Sequence, residues 1–300
     1  MLKNEHLVEL LSFLSTFLAY GGEFTIEANP EDVTPLFAKT IIAHGVNRVS
    51  IGMQSSDSIL LAFMGRNHDY ETVKHAVKTL REAGLDNINL DLIYALPNET
   101  LAMALEDIRK AIALSPDHIS IYSLILEEDS IFSKRGIEES SQDDQASQYE
   151  ALYGLLEENG YHRYEFSSFA REGKKCRHNL TYWKDEPYYG VGLGASGYVG
   201  SVRYKNTVSL PKYLKRKWRE KEEEITPNDD LSYFFLTNLR LEEGFLLKDF
   251  ASRFGFSLLE KYKAQVDSLI EKGLCELTSS HFRMRKEKLI LLDSALVELM

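Results

Sequence analysis

Eight residues, CRHNLTYW from Cys176 to Trp183, gather a thiol, an imidazole, an amide, a phenol and an indole. On a helix His178 and Tyr182 lie one turn apart and share a face, and Asn179 and Trp183 do the same. Such a face presents an axial ligand and a flat aromatic wall to a macrocycle. A structural cluster of the same side chains is the competing reading. A second set is spread along the chain. Glu27, Gln54 and Asp91 each lie at or near the end of an alternating apolar–polar run. Phe24 and Ile26 take one face of the first run and Thr25 and Glu27 the other, so Glu27 is expected to point inward and to need a partner. Arg66, in GRNH, offers a guanidinium that can clamp a carboxylate in a bidentate way.

These residues require elements that bring them together. Strand-like runs cover 24–28, 48–54, 87–94 and 118–126, with helical patterns between them. Thr34 and Pro35 start one helix as N-cap and first-turn proline. Val73, Ala76, Val77 and Leu80 stripe a second before Gly84, and Leu101, Ala104, Leu105, Ile108 and Ile112 stripe a third. Strands alternating with helices indicate a parallel α/β sheet with crossover connections. Parallel strands covered on both faces usually read as continuous apolar runs, but these alternate. Val49, Ile51 and Met53 oppose Ser50, Gly52 and Gln54, and Ile88, Leu90 and Leu92 oppose Asn87, Asn89 and Asp91. A barrel or part-barrel with a polar lumen accounts for this, with working residues at the C-terminal strand ends. A polar row satisfied internally is the alternative.

Beyond residue 127 the chain is acidic to about 150 and then helical, followed by an aromatic and glycine-rich block from Tyr161 to Tyr204. GLGASG, Gly192–Gly197, has dinucleotide-fingerprint spacing, but its continuation reads as turn and strand, so its glycines are expected to allow close backbone approach. PKYLKRKWREKEEE reads as a charged, solvated helix. From 229 onward three helical patterns precede the hairpin LCELTSSHFRMR, the order of a winged helix. That region holds ten Lys/Arg and twelve Asp/Glu, which argues against a nucleic-acid role.

Composition narrows the class further. The chain has 300 residues and a net charge of −11, with no basic face expected. Its two cysteines, Cys176 and Cys275, have neither disulfide-framework nor metal spacing and fit a reducing compartment. Residues 1–20 read as an amphipathic helix, not an export signal, because Glu5 and Glu9 interrupt the apolar run. No run is long enough to cross a membrane.

EANP, NRVSIGMQS, GRNH, NINLDLIYALPNET and HISIYSLILE, in this order, make the chain resemble the oxygen-independent coproporphyrinogen III oxidase family of radical S-adenosylmethionine proteins. RHNLTYW followed by YYGVGLGASGYVGSVRYKN resembles its haem-chaperone branch, HemW. The resemblance implies three parts: a partial radical-SAM (β/α) barrel at 1–130, an α+β middle segment at 131–225, and a winged-helix-like HemN C-terminal-type domain at 226–300. It implies that Glu27, Gln54, Arg66, Asp91 and Ile125 hold S-adenosylmethionine, and that His178, Asn179, Tyr182 and Trp183 meet haem. It implies a cytoplasmic protein passing haem to haem-accepting proteins, without nucleic acid or membrane insertion. The family's CxxxCxxC motif for a [4Fe–4S] cluster and its GGGTP-type loop are not in this sequence. An N-terminal truncation is therefore expected, with two barrel strands missing, the strand at 24–28 left as an edge, and no radical chemistry from this chain alone. Coproporphyrinogen III dehydrogenase activity, a binding module in the C-terminal domain, and a non-functional fragment are the rival readings.

Overall fold

The computed structural model describes residues 2–126 and 136–300, which fall into two compact units, Met1–Lys175 and Cys176–Met300. The first part of the expected acidic connection, residues 127–135, lies outside the described residues.

In the first unit, four parallel strands stand in chain order: β1 (Thr25–Ala28), β2 (Arg48–Gln54), β3 (Ile88–Tyr94) and β4 (His118–Ser123). Local signals set the intervening helices. Thr34 caps α2 (Pro35–Ala43), Asp57 caps α3 (Ser58–Phe63), Asp69 caps α4 (Tyr70–Glu82) and Thr100 caps α5 (Leu101–Ala113), each side chain accepting a first-turn amide. Val49, Ile51, Ile88, Leu90 and Ile119 are fully buried on one face of the sheet. The buried stripes of α4 (Val73, Ala76, Val77, Leu80) and α5 (Ala104, Ile108, Ala111) complete that core. Each such aliphatic side chain contributes about 1.5–3 kcal/mol by leaving water.

Residues expected in the middle segment extend this sheet. After α6 (Gln142–Glu158), β5 (His162–Glu165) and β6 (Ser168–Ala170) form a hairpin, and β6 pairs antiparallel with β4. The strand order is β1-β2-β3-β4-β6-β5, which leaves β1 with one neighbour, the edge position expected from the sequence. α1 (Asn4–Ser15) and β1 line a groove of about 340 Å³ with Leu7, Leu11, Phe24 and Ile26.

The second unit opens with α7 (Arg177–Trp183), followed by an antiparallel sheet of β7 (Ser196–Val199), β8 (Val202–Asn206) and β9 (Arg219–Glu224). The expected helix over PKYLKRKWREKEEE is mostly absent. Only α8 (Leu210–Leu214) forms; Arg216 takes φ +60, and the REKEEE stretch becomes β9. Pairing with β8 overrides local propensity, with the Arg219 guanidinium 3.5 Å from the Tyr204 ring centroid and Arg203 opposite Glu223. The remainder has the winged-helix order: α9 (Pro227–Asn238), β10 (Phe245–Leu246), α10 (Leu247–Phe254), α11 (Leu258–Glu271), then β11 (Cys275–Leu277), β12 (His281–Met284) and α12 (Leu292–Leu299). Phe234, Phe235, Phe245 and Phe250 pack edge-to-face and stacked in its core.

Candidate functional site

The parallel register stacks the polar face of the first unit in layers. Glu27, Ser50, Asn89 and His118 are successive partners across four strands, and Gly52, Asp91 and Ser120 form the next layer. Hydrogen bonds join these layers into one directed chain. Tyr164 Oη lies 2.8 Å from His118 Nε2, and His118 Nδ1 lies 2.5 Å from Asn89 Oδ1. Because a carboxamide oxygen only accepts, the His118 proton sits on Nδ1 and Tyr164 donates to Nε2. Burial, and next to it the charge of Arg48, holds the His118 pKa well below its ordinary value, so the ring is neutral. Asn89 Nδ2 donates to Ser50 Oγ at 2.6 Å and to Asp91 Oδ1 at 2.8 Å, and Ser50 donates to the other Asp91 oxygen. Every donor points toward Asp91, which stays half-buried at the end of the chain with lone pairs left for a ligand's hydroxyl or ammonium group. Tyr122, on the same face, has its phenol pushed up to about 12 by burial and then by Asp91.

At the C-terminal strand ends, Gln54 is buried with φ +64 where the β2–β3 register slips. Its carboxamide folds back over Gly52, where an added Cβ would meet Nε2 at 2.7 Å and push the carboxamide aside. Arg66 Nη1 donates to Asn29 Oδ1 at 3.2 Å, which places the guanidinium beside the end of β1. One expectation is corrected. Glu27 is exposed, not interior, because β1 is an edge strand. Ile125 lies just beyond the end of β4 with its side chain 76 % exposed. Asn29, Ser50, Asn89 and His118 were not singled out as site residues; their polar alternation was the available signal.

In the second unit, α7 forms as the spacing predicts. It has no fully buried residue. His178 and Tyr182 rings meet edge-on at 4.7 Å, and Tyr182 meets Tyr188 at 4.5 Å. The Trp183 indole Nε1 is buried without a hydrogen-bond partner, and the Arg240 guanidinium lies 5.4 Å from its ring centroid. Buried Asp185 follows the helix with φ +54 and pairs with Arg203 and, at 2.7 Å, with Arg253. The glycine-rich stretch is a turn leading into β7, with φ +109 at Gly192 and +72 at Gly194, and no helix follows it. That excludes the dinucleotide reading.

A [4Fe–4S] cluster needs a clustered set of thiolates. Cys176 and Cys275 are both buried, and burial pushes the Cys275 thiol up to about 12, against a thiolate. Among the described residues no group of three or more His, Cys, Asp or Glu is placed to hold a metal ion. The residues of this chain do not fit the cluster. S-adenosylmethionine fits better: its ammonium and ribose hydroxyls suit Asp91 and Glu27, and its carboxylate suits Arg66.

This parallel, helix-covered sheet with a polar face has the fold of a radical S-adenosylmethionine protein. The Radical SAM superfamily model matches residues 2–111, and the HemN C-terminal domain model matches 225–287. The fold matches coproporphyrinogen III oxidase (HemN) from Escherichia coli at a TM-score of 0.83, covering 99 % of this chain and 74 % of that one at 18 % identity. Within that class, sequence is more specific. The chain is 39 % identical to heme chaperone HemW of Lactococcus lactis over 84 % of its length and 68 % of the relative's. It is 34 % identical to heme chaperone HemW of Bacillus subtilis (91 % and 75 %) and 32 % identical to that of Escherichia coli (93 % and 75 %). The chain belongs to the HemW heme chaperone family.

Proposed function

We propose that this chain is a cytoplasmic haem chaperone that binds haem through α7 and passes it to haem-accepting proteins. The observation that carries this reading is the folded HNLTYW helix, which sets an imidazole against a phenol on one face and leaves an indole N–H unpaired one residue on. His178 supplies a nitrogen donor to iron, and Tyr182 and Trp183 supply an aromatic wall. Asn179 shares the Trp183 face of the helix and belongs to the same haem-facing set, and the Asp185 ion pairs with Arg203 and Arg253 hold the turn that follows it.

Glu27, Gln54, Arg66 and Asp91 are the groups that would hold S-adenosylmethionine on the polar face of the first unit. Beside a reduced cluster that ligand would supply a radical; this chain's own residues contribute its binding and orientation. No helix among the described residues is long and apolar enough to cross a membrane.

The test is a haem titration followed in the Soret region. Wild-type protein should give a saturable shift near one haem per chain, and His178→Ala should lose it or weaken it at least about tenfold, which is about 1.4 kcal/mol. Absence of any shift in the wild type would overturn the reading.

A further inference from the structure

We propose that Arg48 and Asn87, at the N-terminal foot of the polar face in the first unit, bind a small oxyanion that keeps one acidic proton, either hydrogencarbonate or dihydrogen phosphate. Arg48 begins β2 and Gln54 ends it. At about 3.3 Å per residue the site stands about 20 Å from that strand end, and it rests on neither ligand of the proposed function.

Strand alternation places both side chains. Arg48, Ser50 and Gly52 share one face of β2, opposite the fully buried Val49, Ile51 and Met53. Val49 is the register partner of Ile88, which sets Asn87 beside Arg48 on the polar face. The charge of Arg48 also reaches His118 in the next layer of that face.

Burial makes this pair costly. Arg48 is 4 % exposed, and its Nε is buried without a hydrogen-bond partner. Among the described residues its side chain joins no ion pair and no aromatic ring. Glu23, two residues before the register partner Thr25, accepts from Thr25 Oγ1 at 3.3 Å and forms no ion pair with Arg48. An isolated charge out of water is strongly unfavourable, and a guanidinium does not neutralise itself inside a protein. On the neighbouring strand Asn87 Oδ1 is buried without a donor.

The two unpartnered atoms have opposite needs, and these select the ligand. Arg48 Nε–H requires an acceptor, with negative charge to balance the guanidinium, while Asn87 Oδ1 requires a donor. Water makes both hydrogen bonds but leaves the charge unbalanced. Chloride or a carboxylate balances the charge but gives Asn87 nothing. A monoanionic oxyanion with one O–H does both: its charged oxygens accept from the guanidinium and its hydroxyl donates to Asn87.

The test is scanning calorimetry of the full chain near pH 7 at constant ionic strength. Replacing chloride by about 20 mM hydrogencarbonate or phosphate should raise the melting temperature by at least about 2 °C, because a ligand held only by the folded state stabilises it. Acetate, with the charge but not the proton, should raise it less. The larger of the two oxyanion shifts tells the planar ion from the tetrahedral one. Asn87→Asp supplies a carboxylate beside Arg48, so it should melt above the wild type in chloride and lose the response to either oxyanion. Arg48→Met removes the charge and should lose the response too. Far-UV circular dichroism checks the fold of both variants, and Asn87→Asp alone decides if Arg48→Met is unfolded. Identical wild-type melting in chloride and in both oxyanions, or a response kept by either folded variant, would overturn the proposal.

Discussion

At the scale of single residues, the first unit carries charge where burial makes it costly. Half-buried Glu99 and buried Asp107 are neighbouring carboxyls next to the Ser55–Ser56 turn that follows Gln54. Asp107 Oδ1 accepts the Ser56 amide at 2.7 Å, while Glu99 Oε1 and Asp107 Oδ2 are buried without a hydrogen-bond partner. Burial raises the Glu99 carboxyl from its ordinary 4.5 to about 7, with Asp107 adding to the rise and the Leu96 amide opposing it. Asp107 is raised too, by burial, against the Ser55 and Ser56 hydrogen bonds and the charge of Lys110. A carboxyl raised by folding stabilises the fold fully below its unfolded pKa and loses that contribution as pH climbs through the folded one. For Glu99 the loss falls between about pH 4.5 and 7 and amounts to at most about 3 kcal/mol. Wild-type melting temperature should therefore drop from pH 5.8 to 8, while Glu99→Gln should remove much of that slope and be the more stable protein at pH 8. A scanning-calorimetry series on both proteins checks this; parallel curves would refute it.

At the scale of elements, the sequence patterns that held were those reinforced by caps and by periodic apolar residues. The helices α2, α4 and α5 begin at the Thr or Asp their sequences offer, and the strands alternate as read. The charged stretch after Pro211 departs from the helix its composition favours because local propensity carries no information about pairing with β8. The link between α7 and the C-terminal helices likewise has no sequence signature. Asp185, on the turn after α7, meets Arg203 of β8 and Arg253 of α10, and Arg253 also meets Asp230 of α9. Arg203 is sandwiched between Tyr198 and Tyr233, its guanidinium 4.2 and 4.0 Å from the ring centroids. Removing the shared carboxylate leaves Arg203 partly buried without its acid and Arg253 with Asp230 alone, so Asp185→Ala should cost about 3 kcal/mol. Urea unfolding monitored at the tryptophans, both of which lie in this unit, measures it. A midpoint unchanged within error would mean that the network is solvated and contributes little.

At the scale of the whole molecule, the two tryptophans are local reporters, Trp183 in the haem-motif helix and Trp218 exposed just before β9. Haem bound at α7 should quench Trp183 emission, and Trp218→Phe should leave most of that quenching intact. Fluorescence titration of the single-tryptophan protein decides it; quenching confined to Trp218 would move haem to the other face. The class of fold was legible in the sequence alone, because strand alternation and helix periodicity report which face of each element is apolar, and the apolar faces form the core beneath the helices. The sequence also determined most of the candidate ligands, since Gln54, Asp91, Arg66 and the HNLTYW helix are recognisable by type and spacing. Only tertiary structure decided what those residues face. Glu27 is exposed because strand order, a relation among distant segments, makes β1 an edge. Ile125 stands in solvent because the chain leaves the sheet before it. The Tyr164–His118–Asn89–Asp91 chain exists because register aligns residues up to 75 positions apart. Periodicity is written locally and survives in a single sequence, whereas register, edge position and hydrogen-bond direction are properties of packed neighbours.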